Sequence, residues 1–425
     1  MTKVQGMVQE QEDTGALLSK YVLGNYGRFP VCFVRGEGSV IWSETGDRYL
    51  DFCGGIAVCS LGHCPPPVTE AIRAQAGRLM HCSNLYQIRE QGLLAKHLVE
   101  KVVGHPGKVF FCNSGAEANE ALIKLARKYG HSPAGQGRFE IVTFEGSFHG
   151  RTMAGISATG QSKVKDGFEP LVPGFIHVPF QDMEALKSAI GPKTAAVLLE
   201  SIQGEGGVRP FFASFLQEVS QLCRERGALL LMDEVQCGLG RLGEMCGWRA
   251  IAPEGAEPQA LSWAKGLGGG FPIGAVWISD ESNLSGLLGP GSHATTFGGT
   301  PLACAAALAV LEEIETKQLD RWAAEMGARI TREVEGWHSP LISGVRGMGL
   351  MLGFALSPAV AEAIQRKGID LVPSRFVVME LMKAGLLTVP AGNEVVRWLP
   401  PLNVSEAEVD EALGILHKTL SGLID

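Results

Sequence analysis

The chain has 425 residues, 45% of them apolar, with 55 glycines, 22 prolines and a formal net charge of −8. That length exceeds what one hydrophobic core usually serves, so two packed units are expected. The acidic balance argues against nucleic acid and against an anionic membrane surface as partners, and no apolar run approaches the roughly 20 residues of a membrane-spanning helix.

The opening stretch MTKVQGMVQEQEDTG lacks the apolar segment of an export signal and reads as a frayed tail on a cytoplasmic protein. Residues 28–58 alternate apolar and polar positions around the turn Thr45–Gly46–Asp47, the pattern of a small antiparallel meander. The ten cysteines contain no C-x-x-C, and Cys53, Cys59 and Cys64 have no ligand pair downstream. Reduced thiols, mostly packed as small hydrophobes, are therefore expected, with no metal.

From residue 108 short apolar runs alternate with helical patterns. KVFFC (108–112) leads into the helix SGAEANEALIKLARKYG, while EIVTF (140–144), TAAVLLE (194–200) and ALLLMD (228–233) each end in a loop rich in glycine and polar residues. This rhythm predicts an α/β fold with a mostly parallel central sheet covered by helices. Ligands bind such sheets beyond the carboxyl ends of the strands, which is where Asn113–Ser114, Phe148–Arg151, Gln203–Glu205 and Asp233–Gln236 fall. After residue 305 come amphipathic helices, then GMGLMLGFAL and EVVRWLPPL, which read as strands. A large domain over 66–310 is expected, with 1–65 and 311–425 forming a smaller α+β domain beside it.

Three stretches carry chemistry. In CNSGAEA, Ser114 and Glu117 form an S-x-x-E capping box. Taken alone it is either a capped helix or a cup in which Gly115 lets a phosphate approach the free N–H groups. In SWAKGLGGG, Lys265 is followed by four glycines in five positions; it is either a solvated charge or a desolvated amine, which loses its proton readily and attacks an aldehyde. Asp233 closes the buried run LLLMD, where a carboxylate is costly unless a cation meets it. A lysine, a phosphate cup and a strand-end aspartate together suit pyridoxal 5′-phosphate (PLP), whose pyridine nitrogen would supply the cation. At an effective dielectric of about 20, opposite charges ~4 Å apart gain roughly 4 kcal/mol, enough to offset much of the desolvation. Gln236, on the same loop, could meet the ring oxygen. Gly238, Gly240 and Gly243 match G-x-G-x-x-G, but DEVQC separates them from the strand and EMCGWRAIAPEG is a poor helix, so a nicotinamide site is disfavoured.

These motifs, in order over residues 30–420, resemble the class III (ornithine-type) PLP-dependent aminotransferases of fold type I. The resemblance rests on FCNSGAEANEALIKLAR, FEGSFHGRTMAGISATG, SIQGEGGVRP, LLLMDEVQCGLGR, AKGLGGGFPIGA and TTFGGTPLACAAALAVL. SNLY (83–86), GFEPLVPGF (167–175) and RGMGLMLG favour the branch that acts on N-acetylornithine. The resemblance implies that Lys265 bonds the cofactor and carries the proton between two carbons, with Asp233 on the ring nitrogen and Gln236 on the ring oxygen. Ser114, Gly115 and Ala116 would hold the phosphate, Phe148 would stack on the ring, and Thr296 would reach the phosphate of a neighbouring subunit, making a homodimer with shared sites. Arg397 would take the α-carboxylate of glutamate and Arg151 the distal carboxylate. Glu205 would pair with Arg397 when the donor carries no carboxylate beside its reacting amine.

The implied activity is transfer of the δ-amino group of N-acetylornithine to 2-oxoglutarate, as in arginine biosynthesis. Succinylornithine, 4-aminobutyrate or another ω-amine are alternative donors, and an aminomutase acting on glutamate semialdehyde shares the fold. Ile56 stands where ornithine δ-aminotransferases have tyrosine, which argues against unacylated ornithine. Further departures from the family pattern, at Pro65, Ser201, Leu242 and Gln259, touch none of the implied cofactor groups.

Overall fold

The computed structural model describes residues 13–424. A seven-stranded sheet forms its centre, in the order Gly107–Cys112, Gly274–Ser279, Ala260–Trp263, Leu229–Asp233, Thr194–Glu200, Glu140–Phe144 and Phe175–Val178. Only Gly274–Ser279 runs against its two neighbours; the remaining pairings are parallel.

Strand Leu229–Asp233 shows why the sheet is covered on both faces. Successive side chains point to opposite sides, and here every one of the five is buried. Leu229 and Leu231 join Leu122, Leu125 and Ala126 of helix Gly115–Gly130. Leu230 and Met232 join Phe215, Leu216 and Val219 of helix Ala213–Arg226 on the other face. Each such side chain contributes about 1.5–3 kcal/mol of transfer free energy, so a polar residue in this strand is tolerated only at its end.

Two further sheets flank this core. The meander Phe33–Glu37, Val40–Ser43 and Arg48–Asp51 is antiparallel, and Leu386–Leu387 joins its last strand in parallel. The second sheet pairs Ile342–Met348, Met351–Leu356, Val395–Trp398 and Val389–Ala391. Phe52, from the first segment of the chain, packs edge-on against Trp398 at 5.0 Å, and Phe354 does so at 4.8 Å.

Two local expectations need correction. The tail reading lies outside the described residues over 1–12, but its last part is ordered: Asp13 caps helix Thr14–Tyr21 by accepting from the N–H of Gly15 and Ala16. GMGLMLGFAL is not one strand, because the chain turns at Gly349–Leu350 between two antiparallel strands. The position 310/311 falls within helix Pro301–Thr316, which feeds Cys304, Ala307 and Leu311 to the sheet's core and Ala306, Val310 and Ile314 to the neighbouring one. Gly238–Gly243 lies in successive turns, and the next helix, Gly247–Ile251, has five residues.

Candidate active site

The strand ends converge on a cavity of about 400 Å³ whose walls include Ser114, Phe148, Arg151, Glu205, Asp233 and Lys265. Lys265 follows strand Ala260–Trp263 at the start of a short 3-10 turn. Its φ of +38° is a left-handed conformation that a lysine adopts only when its surroundings impose it. Lys265 is half-buried, and desolvation lowers the pKa of its amine, with the Glu205 charge opposing the shift. The Ser60 hydroxyl donates to Gly266 O at 2.9 Å and ties down the turn.

Ser114, Gly115 and Ala116 open helix Gly115–Gly130 at the cavity wall. Ser114 Oγ accepts from Glu117 N at 3.2 Å, and Glu117 reaches back to the N–H of Asn113 at 2.7 Å, one residue earlier than the capping box predicts. A Cβ on Gly115 would lie 2.7 Å from Val235, so no larger residue fits. The N–H groups of Gly115 and Ala116 have no acceptor among the described residues. Two free donors on a helix terminus make a seat for an anion.

Asp233 is buried, and the protein itself supplies three donors to its carboxylate. Asn119 Nδ2 donates to Oδ2 at 2.6 Å, His149 Nδ1 lies 2.9 Å from Oδ2, and Val235 N donates to Oδ1 at 3.0 Å. Asn119 Oδ1 in turn accepts from Ser262 at 2.7 Å. Glu200, closing the adjacent strand, accepts from Phe148 N at 2.9 Å, and burial raises its pKa to about 7. Asn119, His149 and Glu200 were not singled out from sequence. His149 lies within the quoted FEGSFHGR, and Glu200 ends TAAVLLE as Asp233 ends LLLMD; that parallel was the available signal.

Arg397 is fully buried. Its Nη1 donates to Gln236 Oε1 at 2.8 Å and pairs ionically with Glu205 Oε1 at 2.8 Å, while Nε and Nη2 have no partner among the described residues. Glu205 is pushed up by burial, but the Arg397 charge and hydrogen bond outweigh this and leave its pKa lowered. Gln236 thus lies at the cavity wall with its amide oxygen on Arg397. Arg151 is exposed at the rim, its guanidinium 5.6 Å from the Phe148 ring centre. Thr296 is exposed and stands apart from the cavity wall; beside it, Thr295 Oγ1 accepts from Asn113 at 3.0 Å.

A family model, aminotransferase class-III, matches residues 21–420. The chain belongs to the class-III aminotransferases. Similar curated proteins include the acetylornithine aminotransferase of Gloeobacter violaceus, 48% identical over 95% of this chain and 96% of that one. That of Thermosynechococcus vestitus is 46% identical over 95% of each. Among solved structures, an ornithine aminotransferase from Toxoplasma gondii, with PLP partially occupying its active site, superposes with a TM-score of 0.87 at 31% identity, covering 98% of this chain and 96% of that one. An acetylornithine aminotransferase from Elizabethkingia anophelis gives 0.81 at 30%, covering 96% and 98%. This aminotransferase has the α/β architecture of PLP fold type I and uses PLP. The desolvated amine, the two unpaired N–H donors and the strand-end carboxylate fit that cofactor's aldehyde, phosphate and ring nitrogen. No helix among the described residues is long and apolar enough to cross a membrane.

Proposed function

We propose that this aminotransferase moves the δ-amino group of N-acetylornithine to 2-oxoglutarate, giving N-acetylglutamate 5-semialdehyde and glutamate. The observation carrying this reading is that the curated relatives, 43–48% identical over nearly the whole chain, are acetylornithine aminotransferases. The buried Arg397–Glu205 pair beside the lysine supports it, since two substrates with differently charged ends must use one cavity.

Bound PLP supplies an aldehyde that bonds an amine and a ring that stabilises negative charge on the neighbouring carbon. The chain's own residues do the rest. Lys265 Nζ, kept ready to lose its proton by burial, moves the proton between the two carbons that exchange the amine. Asp233, oriented by Asn119 and His149, keeps the ring nitrogen protonated. Ser114, Gly115 and Ala116 would hold the phosphate, and Phe148 and Gln236, on the same cavity wall, would meet the ring and its oxygen. Arg151 at the rim receives the distal carboxylate, and Arg397 receives the α-carboxylate of glutamate once Glu205 releases it.

We infer a homodimer with shared sites. Leu79, Met80, Leu85, Tyr86 and Phe297 are large exposed apolar side chains in the two segments that flank Thr296, and a second copy of the chain would cover them and bring Thr296 to its phosphate. The ten free cysteines suit a reducing, cytoplasmic setting. We divide the chain into a cofactor-binding domain over 66–310 and a smaller domain from 1–65 and 311–425.

The test is a set of half-reactions on purified PLP-loaded protein, with the visible cofactor band followed after adding N-acetylornithine, succinylornithine, ornithine, 4-aminobutyrate or glutamate. Rapid bleaching by N-acetylornithine and glutamate with slow bleaching by ornithine is expected. Bleaching by 4-aminobutyrate alone would sink the substrate assignment and leave the family intact.

A further inference from the structure

A second cluster of reactive groups lies outside the cavity that holds Lys265. Asp51 ends strand Arg48–Asp51 and is buried. Its Oδ1 accepts from the N–H of Cys53 and Gly54, both at 2.9 Å, and its Oδ2 lies 2.7 Å from His63 Nε2. Between them the chain doubles back through Gly54, Gly55, Ile56 and Ala57, with φ of +54°, +63°, +64° and +62°. A β-branched isoleucine there costs about 1–3 kcal/mol, so the loop is held from outside. The His63 backbone is bridged to Gly38 by two hydrogen bonds, of 2.7 and 3.1 Å. A Cβ on Gly36 would lie 2.6 Å from His63 Cβ, so the imidazole packs where a side chain would stand. So fixed, His63 turns Nδ1 to Cys59 Sγ at 4.0 Å.

Hydrogen bonding to Asp51, then to Cys59, raises the pKa of His63 to about 10 against the opposing effect of burial. An imidazolium beside a sulfur favours the thiolate, which is the nucleophile. Cys59 is half-buried. Burial pushes neighbouring Cys53 up to about 11 and Cys112, Cys223 and Cys304 up to about 12, which silences them. Besides Asp51, the titratable groups that share with His63 the wall of a cavity of about 980 Å³ are Asp13, Arg28, Cys32, Glu44 and Cys53.

We propose that Cys59 is a covalent modification site for small disulfides, with His63 as its charge partner and Asp51 holding the imidazole in place. The Cys59 sulfur attacks one sulfur of the reagent; the new S–S bond forms as the old one breaks, and the second sulfur leaves as a thiolate. Cys59 is oxidised and the disulfide reduced, with no other oxidant. The adduct sits one residue from Ser60, which holds Gly266 O, and from Val58, which lines the Lys265 cavity, so it disturbs the turn carrying the lysine and slows turnover. This last consequence rests on the transaminase reading; the labelling does not.

The test labels the PLP-loaded protein with 5,5′-dithiobis(2-nitrobenzoate) below one equivalent and locates the adduct by peptide mapping without reduction. The exposed Cys64, in the same molecule, is the comparator. With the His63 imidazole fixed beside its sulfur, Cys59 is expected to label about tenfold faster than Cys64 at pH 6. His63→Gln should remove the advantage at pH 6 and leave the rates at pH 9 alike. If that variant does not fold, the Cys59-to-Cys64 ratio in the unaltered protein decides alone. Labelling of Cys64 first at pH 6, or a pH profile unchanged in His63→Gln, overturns the site. Full labelling of Cys59 with activity intact overturns its coupling to the lysine turn, and protection of activity in Cys59→Ala supports it.

Discussion

Replacing Glu205 with glutamine separates the two substrates of the proposed reaction. Glu205 Oε1 forms an ion pair with Arg397 Nη1 at 2.8 Å, and among the described residues the arginine side chain is otherwise met only by the Gln236 amide oxygen. A hydrogen bond between charged groups contributes about 1.5–3 kcal/mol. The Glu205 side chain is 31% exposed, so the lower end applies, about 1.4 kcal/mol or tenfold in an equilibrium constant. Glutamate has to displace this contact before its carboxylate reaches the arginine; in Glu205→Gln it does not, so its half-reaction should gain about tenfold in rate over dissociation constant. The acylated donor brings no carboxylate to that position and meets an unneutralised guanidinium, so its half-reaction should lose a similar factor. Stopped-flow absorbance of the cofactor band, with each substrate alone, measures both. The expected shift in their ratio is about a hundredfold. Equal losses for the two substrates, or a ratio within about threefold of the starting enzyme, would refute the gate and leave Glu205 a support for a buried arginine.

Other expectations follow from the same contacts. Asn119→Ala removes the 2.6 Å donor from Asp233 and orphans the Ser262 hydroxyl; a loss of about 1–3 kcal/mol should weaken PLP binding roughly five- to a hundredfold in an equilibrium titration, and unchanged affinity would contradict the role given to Asn119. Burial raises Glu234 from 4.5 to about 7, against the donor from Trp248 N at 2.7 Å. The folded state then keeps a proton that the unfolded chain releases, so stability is lost as pH rises from 4.5 through about 7, by about 3 kcal/mol. Glu200 rises into the same range, so the gap between denaturation midpoints at pH 5 and 8 should narrow, not vanish, in Glu234→Gln; an unaltered gap excludes Glu234 as a source. Leu85 and Phe297 are 87% and 62% exposed, so Leu85→Glu with Phe297→Asp should spare the folded subunit. Sedimentation should show a monomer with activity down more than about a hundredfold if sites are shared, and an active monomer would exclude that arrangement.

The parts legible from sequence are those where one residue is anomalous in its own neighbourhood. Asp233 ends an apolar strand, Lys265 precedes a run of glycines, and Ser114 opens a helix with glycine behind it. Each anomaly is local, and each residue lines the same cavity. Pairings between distant segments are not local. Asn119 and His149 reach Asp233 across 114 and 84 residues, and neither stands out where it sits. GMGLMLGFAL hid its turn because Leu350, within it, and Met351, directly after it, are both buried, so the apolar pattern carries through the reversal.

Arg397 joins the two kinds of information. A guanidinium in the apolar strand Val395–Trp398 is as anomalous as a carboxylate in Leu229–Asp233, and each would be prohibitive alone. They lie in different sheets, so neither answers the other directly. What links them is the loop after Asp233, whose Gln236 accepts from Arg397 across 161 residues. A change in what Arg397 binds therefore reaches, through one amide, the loop that begins at the carboxylate proposed for the ring nitrogen. Gln236→Ala should for that reason alter cofactor absorbance and the glutamate half-reaction together, whereas a Gln236 that only fills space would change neither by more than about twofold.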